Sequence, residues 1–139
     1  MYLLDTNVIS EVRKARAGTA DRRVKAWIES ISAASFFLSV ITVLELEIGI
    51  LRMERRDPAQ GAILRSWLDR SVLPTFAGRI VPVDIPVARR CAALHVPNPR
   101  SERDSLMAAT ALVHKMTVVT RNVSDFVATG VEVLNPWEA

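Results

Sequence analysis

The chain has 139 residues, half of them hydrophobic, with a formal net charge of +3. That length and apolar content fit one domain spanning residues 1–139 with a sizeable core, and they exclude a disordered chain. The cations are mostly Arg, which suits bidentate phosphate contacts or reflects a genome's codon bias, so charge alone does not show a nucleic-acid partner.

Met1-Tyr2-Leu3-Leu4 is a short apolar run and predicts a buried strand ending at Asp5. Thr6-Asn7 can cap a helix through Val8, Ile9 and Val12. Arg13 to Arg22 is basic, small and Gly-containing, and predicts a mobile loop; Val24, Trp27, Ile28 and Ile31 then mark an amphipathic helix. Phe36 to Val40 is β-rich and leads into a helix carrying Leu44, Leu46, Ile48, Ile50 and Leu51, interrupted at Asp57-Pro58. A helix is expected over Ala62 to Leu73, ended by Pro74, and a strand over Arg79 to Val83. The next helix runs from Asp84-Ile85-Pro86 through Leu94, and another from Ser101 to His114. Thr117 to Thr120 and Gly130 to Leu134 predict the last strands. Alternation of strands and helices points to an α/β sandwich, three-layered, with a mainly parallel central sheet.

Four acidic residues stand where apolar runs stop or helices start: Asp5, Glu45, Asp104 and Asp125. In open parallel sheets the site lies beyond the carboxyl ends of the strands, where Asp5, Asp125 and the entrance to the Glu45 helix fall. Each residue also has an ordinary reading. Asp5 could cap a helix, Glu45 could be a solvated helix residue, Asp104 could occupy a capping-box slot behind Ser101, and Asp125 could form an Asx-turn. Together they would repel one another unless a divalent cation lay among them, and hard oxygen ligands suit Mg²⁺ or Mn²⁺. The pattern points to metal-dependent phosphodiester chemistry. Glu47, two positions from Glu45, faces elsewhere and reads as a surface or partner contact.

Leu3-Leu4-Asp5-Thr6-Asn7, Thr42-Val43-Leu44-Glu45-Leu46 with Gly49, Asp104 through Ala111, and Val118 through Phe126 carry a further signal. In this order, and with Gly130-Val131 to Asn135-Pro136-Trp137, they resemble the PIN-domain family nearly end to end, and within it the VapC/FitB-like toxins of bacterial type II toxin–antitoxin systems. The resemblance implies a PIN-like fold and a magnesium- or manganese-dependent endoribonuclease. It implies catalytic and metal-site roles for Asp5, Glu45, Asp104 and Asp125, with Asp5 and Asp104 holding the principal ion. Thr6 and Thr120 are similar to hydroxyl residues that line such sites, and Asn122 lies in the same segment. The resemblance also implies RNA as substrate, a homodimer, a cognate antitoxin, and operator DNA met only through the antitoxin complex. A subunit that mainly regulates its operator, with weak or no nuclease activity, is the alternative.

Arg13, Lys14 and Arg16 are either a solvated basic loop or phosphate-gripping side chains for the RNA. Val24, Trp27, Ile28, Leu46 and Ile50 are expected to offer a groove for an amphipathic partner helix. Trp27 and Trp67 read as core or dimer contacts, and His95 and His114 as structural. A phosphoacceptor-Asp protein of dehalogenase type would need a second acid where Asn7 stands, and a receiver would need a Lys where Thr120-Arg121-Asn122 offers none. Cys91 is alone, so no internal disulfide forms. With no basic-then-apolar leader and no stretch long enough to span a bilayer, a cytoplasmic protein without a membrane is expected.

Overall fold

A computed structural model describes residues 1–139. In chain order the elements are β1 (Tyr2–Leu4), α1 (Thr6–Arg16), α2 (Arg22–Ser30), β2 (Phe36–Ser39), α3 (Val40–Arg56) and α4 (Pro58–Trp67). A π-helical turn, Leu68–Val72, joins α4 to the short α5 (Leu73–Thr75). Then come β3 (Ile80–Val81), α6 (Ile85–Leu94), α7 (Glu102–His114), β4 (Thr117–Val119) and β5 (Val133–Leu134).

The strands form one sheet in the order β3-β2-β1-β4-β5, and every pairing is parallel. The chain proceeds from β1 to β2 and β3 on one side and later returns to β4 on the other. The carboxyl ends of β1 and β4 therefore flank the point where strand order reverses, the usual crevice for a ligand.

Side-chain alternation explains the layers. Leu4 and Val119 point into a core with Val8 and Ile9 of α1, Leu46 and Ile50 of α3, and Leu68 and Val72. Their neighbours Leu3 and Val118 point the other way, against Met107, Ala108 and Ala111 of α7. A strand buried on both faces must be apolar at every position, which is why β1 and β4 carry no polar alternation. Helix α6 backs α7 through Val87, Cys91 and Ala109. Side-chain caps start several helices: Ser39 accepts from the Ile41 amide, Asp57 from Gln60 and Asp84 from Val87.

Some expectations change. Helix α1 runs through Arg16, so Arg13, Lys14 and Arg16 are helical and the loop shrinks to residues 17–21. Good helix formers continue the helix, and basic side chains suit its negative C-terminal end. Pro74 does not end the helical run. It sits in the first turn of α5, where its missing N–H is not needed, and α4 starts at Pro58 rather than Ala62. Helices α3 and α4 cross closely at Gly61, where a Cβ would lie 2.6 Å from the Glu54 Cα. The single groove expected from Val24, Trp27, Ile28, Leu46 and Ile50 is not formed. Val24, Leu46 and Ile50 are largely buried. Leu46 and Ile50 reach the surface only in a cleft between α1, α3 and α4, and Val24 and Ile28 line a different pocket beside α2. Their apolar spacing marks core-facing helix positions, not an open surface. No helix is long and apolar enough to cross a membrane.

Candidate active site

Asp5 leaves β1 and serves as the N-cap of α1, its Oδ1 accepting the Thr6 amide at 2.7 Å. Its Oδ2 accepts the Thr120 hydroxyl at 2.8 Å and the Asn7 side-chain amide at 3.3 Å. Thr120 follows β4, so the Asp5–Thr120 contact closes the crevice at the strand-order reversal. The Thr120 hydroxyl also accepts the Asn122 amide at 3.0 Å and the Asn7 Nδ2 at 3.3 Å. One donation and two acceptances saturate a hydroxyl. Thr120 therefore fixes the orientation of Asp5 and has no lone pair to spare for chemistry.

Asp5 is 8% exposed. Burial raises its carboxyl above the ordinary value of 3.8, the charges of Glu45 and Asp125 add to the rise, and the bonds from Thr120 and Thr6 restrain it. Glu45 lies in the second turn of α3. Its Oε1 accepts the Thr6 hydroxyl at 2.8 Å, and its Oε2 stands 3.8 Å from the Arg103 guanidinium. Asp104 occupies the first turn of α7. Its carboxyl too is raised, first by burial and then by the charges of Asp125 and Asp5, while contact with Ser101 works the other way. Asp125 sits in the exposed single turn Val123–Asp125.

The fold thus brings all four acidic residues into one electrostatic neighbourhood. No Lys or Arg pairs with Asp5, Asp104 or Asp125; Arg103 touches only Glu45. The donor set is all hard oxygen and fits Mg²⁺ or Mn²⁺ in kind. The carboxylates share a potential without yet sharing a point, since no three of them converge at coordinating distance.

The other sequence-derived residues divide. Thr6 and Thr120 line the site through their hydroxyls. Asn122 contributes its backbone amide to the Thr120 hydroxyl. Of the three basic residues, Lys14 pairs with Glu11 at 3.5 Å and Arg16 donates to Ser71 at 3.2 Å. Arg13 alone reaches the cleft beside Thr6 and Glu45. Asn7 was missed as a site residue: it donates to Asp5 and Thr120 and accepts the Arg121 amide at 3.3 Å. Its place two residues after Asp5, on the half-buried first turn of a helix, was the available signal. Arg103 was missed as well, and its adjacency to Asp104 was the only hint. Glu47 is not a free surface group, because Arg65 binds it.

The PIN domain model matches residues 2–130. This chain belongs to the PIN-domain family. It is similar to VapC ribonuclease Y4jK of Sinorhizobium fredii, at 41% identity over 99% of both chains. It is equally similar to Toxin FitB of Neisseria gonorrhoeae, at 41% identity over 99% of both chains. Among solved structures, FitAcB from Neisseria gonorrhoeae matches with a TM-score of 0.89 and 39% identity over 100% of both chains. The structure of FitAB bound to an IR36 DNA fragment matches with a TM-score of 0.83 and 38% identity over 99% of this chain and 96% of the other.

Proposed function

We propose that this PIN-domain protein is a metal-dependent endoribonuclease, the toxin of a toxin–antitoxin pair. One observation carries the chemistry: Asp5 is buried at the β1/β4 crevice, raised by burial and by neighbouring carboxylates, and has no cationic partner within the chain. Hydrogen bonds from Thr6, Thr120 and Asn7 satisfy its oxygens but bring no positive charge, and a divalent cation would offset the remaining repulsion. Full-length relatives named as a VapC ribonuclease and as a toxin support hydrolysis of RNA as the reaction.

Asp5 and Asp104 would hold the principal ion, with Glu45 and Asp125 completing the acidic set. When bound, Mg²⁺ or Mn²⁺ lowers the pKa of a water and polarises the phosphoryl oxygens. The remaining work falls to the chain's own side chains. Thr120 and Asn7 hold the Asp5 carboxylate in one orientation. Thr6 does the same for Glu45, tying α1 to α3. Asp125, exposed at the rim, would complete the second part of the site or orient a water there.

Relatives solved as FitAcB and as FitAB on DNA support a cognate antitoxin as partner, with operator DNA reached through that complex. A homodimer is part of the same proposal. The regulatory-subunit reading shares this assembly but leaves the unpaired carboxylates without a role. The deciding assay uses the purified chain without its partner on single-stranded RNA. Cleavage with Mn²⁺ or Mg²⁺, abolished by EDTA and in Asp5→Asn, is expected. A well-folded wild-type chain that leaves RNA intact in millimolar metal would favour the regulatory role.

A further inference from the structure

Between α1, α3 and α4 lies a cleft of about 250 Å³ that opens beside the acidic site. Thr6 and Glu45 belong to both, so cleft and site are continuous. Gly49 lies on its wall, and a Cβ there would meet nothing within 4 Å. A glycine in the interior of α3 costs helix stability, and here it leaves the cleft open. Trp67 forms another wall, half-buried at the end of α4. Arg13 is exposed, with its guanidinium 5.9 Å from the centre of the Trp67 ring. No carboxylate pairs with Arg13, whereas Lys14 and Arg16 are tied to Glu11 and Ser71.

An unpaired guanidinium, an indole face and an open wall side by side, next to a carboxylate cluster, match one chemistry. We propose that this cleft is a nucleotide subsite for single-stranded RNA, in which Arg13 grips the phosphate next to the scissile one and the cleft receives the attached base. The proposal rests on the ribonuclease reading, which it deepens by naming where the strand runs. Arg is suited to the task because its planar fork binds phosphate bidentately and stacks on aromatic rings. In the free protein the guanidinium covers the Trp67 face. When RNA enters, the base takes that face and the guanidinium takes the phosphate, so one cation–π contact is exchanged for a stacked base and an ion pair. The cleft is too small for a base pair, which selects single strands. Besides Arg13 its polar lining is Thr6, Ser10 and Glu45, and Thr6 and Glu45 are bonded to each other, so the subsite positions the strand with little base preference.

Trp67 also packs against the core, so its truncation would confuse binding with folding. Gly49→Leu is the cleaner variant, because it fills the cleft from a position with free space. Arg13→Gln is the second, on an exposed residue. Binding is measured by fluorescence anisotropy in EDTA, where no cleavage occurs, with a labelled ten-residue oligouridine and with its abasic counterpart. Wild type is expected to bind the oligouridine about tenfold more tightly than the abasic strand, since stacking adds to phosphate contact. Gly49→Leu should erase that preference and keep abasic binding. Arg13→Gln should weaken both strands and reduce the log–log salt slope by about 0.7. Variants that bind both strands like wild type overturn the subsite. If those variants instead lose only the affinity for an antitoxin, the cleft is a protein-docking site and the proposal also fails. RNA bound with the expected signatures but left uncut when Mn²⁺ is added would overturn the nuclease reading and leave the subsite standing.

Discussion

Glu45 and Glu47 lie two residues apart on α3 and have opposite fates. Glu47 turns toward α4 and meets Arg65, whose Nη1 donates to it at 2.7 Å; the same Arg reaches Glu54 at 3.2 Å. Its carboxyl is held below its ordinary value, chiefly by that hydrogen bond. Glu45 turns toward Asp5, where Asp5 and Asp104 are pushed above theirs by burial and by one another's neighbours. The α3–α4 carboxylates are neutralised within the chain and bind two helices together. At the sheet edge only Glu45 has a guanidinium near it, Arg103 at 3.8 Å; Asp5, Asp104 and Asp125 have no cationic partner within the chain, which leaves them available to a cation from outside. Counting acidic residues would not separate the two groups; the location of the nearest guanidinium does.

The largest expected contrast is in activity. Asp5→Asn should lower RNA cleavage at least about a hundredfold, the usual scale for removing one preorganised electrostatic group. Glu47→Gln should leave the rate within about twofold of wild type when measured below its melting temperature. Initial rates on one RNA, alongside circular dichroism to confirm folding, make the comparison. Comparable losses in both variants would mean that the acidic edge has no special role.

Next in size is the response to metal. An ion bound only by the folded state stabilises it by about 2.7 kcal/mol at a hundredfold excess over its dissociation constant. Millimolar Mn²⁺ or Mg²⁺ should therefore raise the melting temperature of wild type by several degrees, and of Glu47→Gln by the same amount. An Asp5→Asn/Asp104→Asn double variant should show no rise. A thermal scan against metal concentration decides it, and a wild-type curve that ignores metal would remove the ion from the site.

The same contrast explains what could be read from sequence. The sheet edge was legible because each of its acids follows a short apolar run or opens a helix, and local patterns locate such points. Asp5 after Tyr2–Leu4 and Asp104 in the first turn of α7 needed only element boundaries. The α3–α4 network was not legible, because Glu47 and Arg65 meet across 18 positions by the crossing of two helices. The extent of α1 was misread because Arg13 to Arg16 resembles loop composition, while its Arg, Lys and Ala residues are also good helix formers. Val24, Leu46 and Ile50 looked like parts of one open groove because periodicity identifies an apolar face without saying how much of it the fold covers or which opening the remainder lines. Asn7 was overlooked because its value lies in reaching Thr120 from across the sheet.

Gly61 belongs to the α3–α4 region and tests it without touching charge. The Cβ added by Gly61→Ala would overlap backbone of Glu54, so the helices must part. Overpacking of this kind costs roughly 1–3 kcal/mol. Denaturant melts should show that loss, while specific activity at low temperature stays close to wild type. An unchanged midpoint would mean that α3 and α4 slide past each other more easily than their packing indicates.

The smallest effect is in pH, and the two regions should pull in opposite directions. Asp5 and Asp104 hold their protons more tightly folded than unfolded, because burial raises them from 3.8. Between that ordinary value and the raised one the native state carries more protons than the unfolded chain, so stability falls as pH rises. Their contribution is complete below pH 3.8 and lost as pH climbs through the raised values. Glu47 is the reverse. Its folded value lies below 4.5, so the unfolded chain binds the extra proton, and its contribution is present above pH 4.5 and lost as pH drops. Glu47 is about 40% exposed, which makes its share a small one. In chelator, the melting temperature of metal-free wild type should therefore decline more steeply as pH rises from 3.8 than that of Asp104→Asn, which lacks one of the titrating acids. Glu47→Gln should instead flatten the acid limb. Metal should remove this decline above pH 3.8 in wild type, because the ion takes the place of the proton at the carboxylates. Parallel curves for wild type and Asp104→Asn in chelator would show that Asp104 titrates like a solvent-exposed acid, and the sheet edge would lose its distinction from the α3–α4 network.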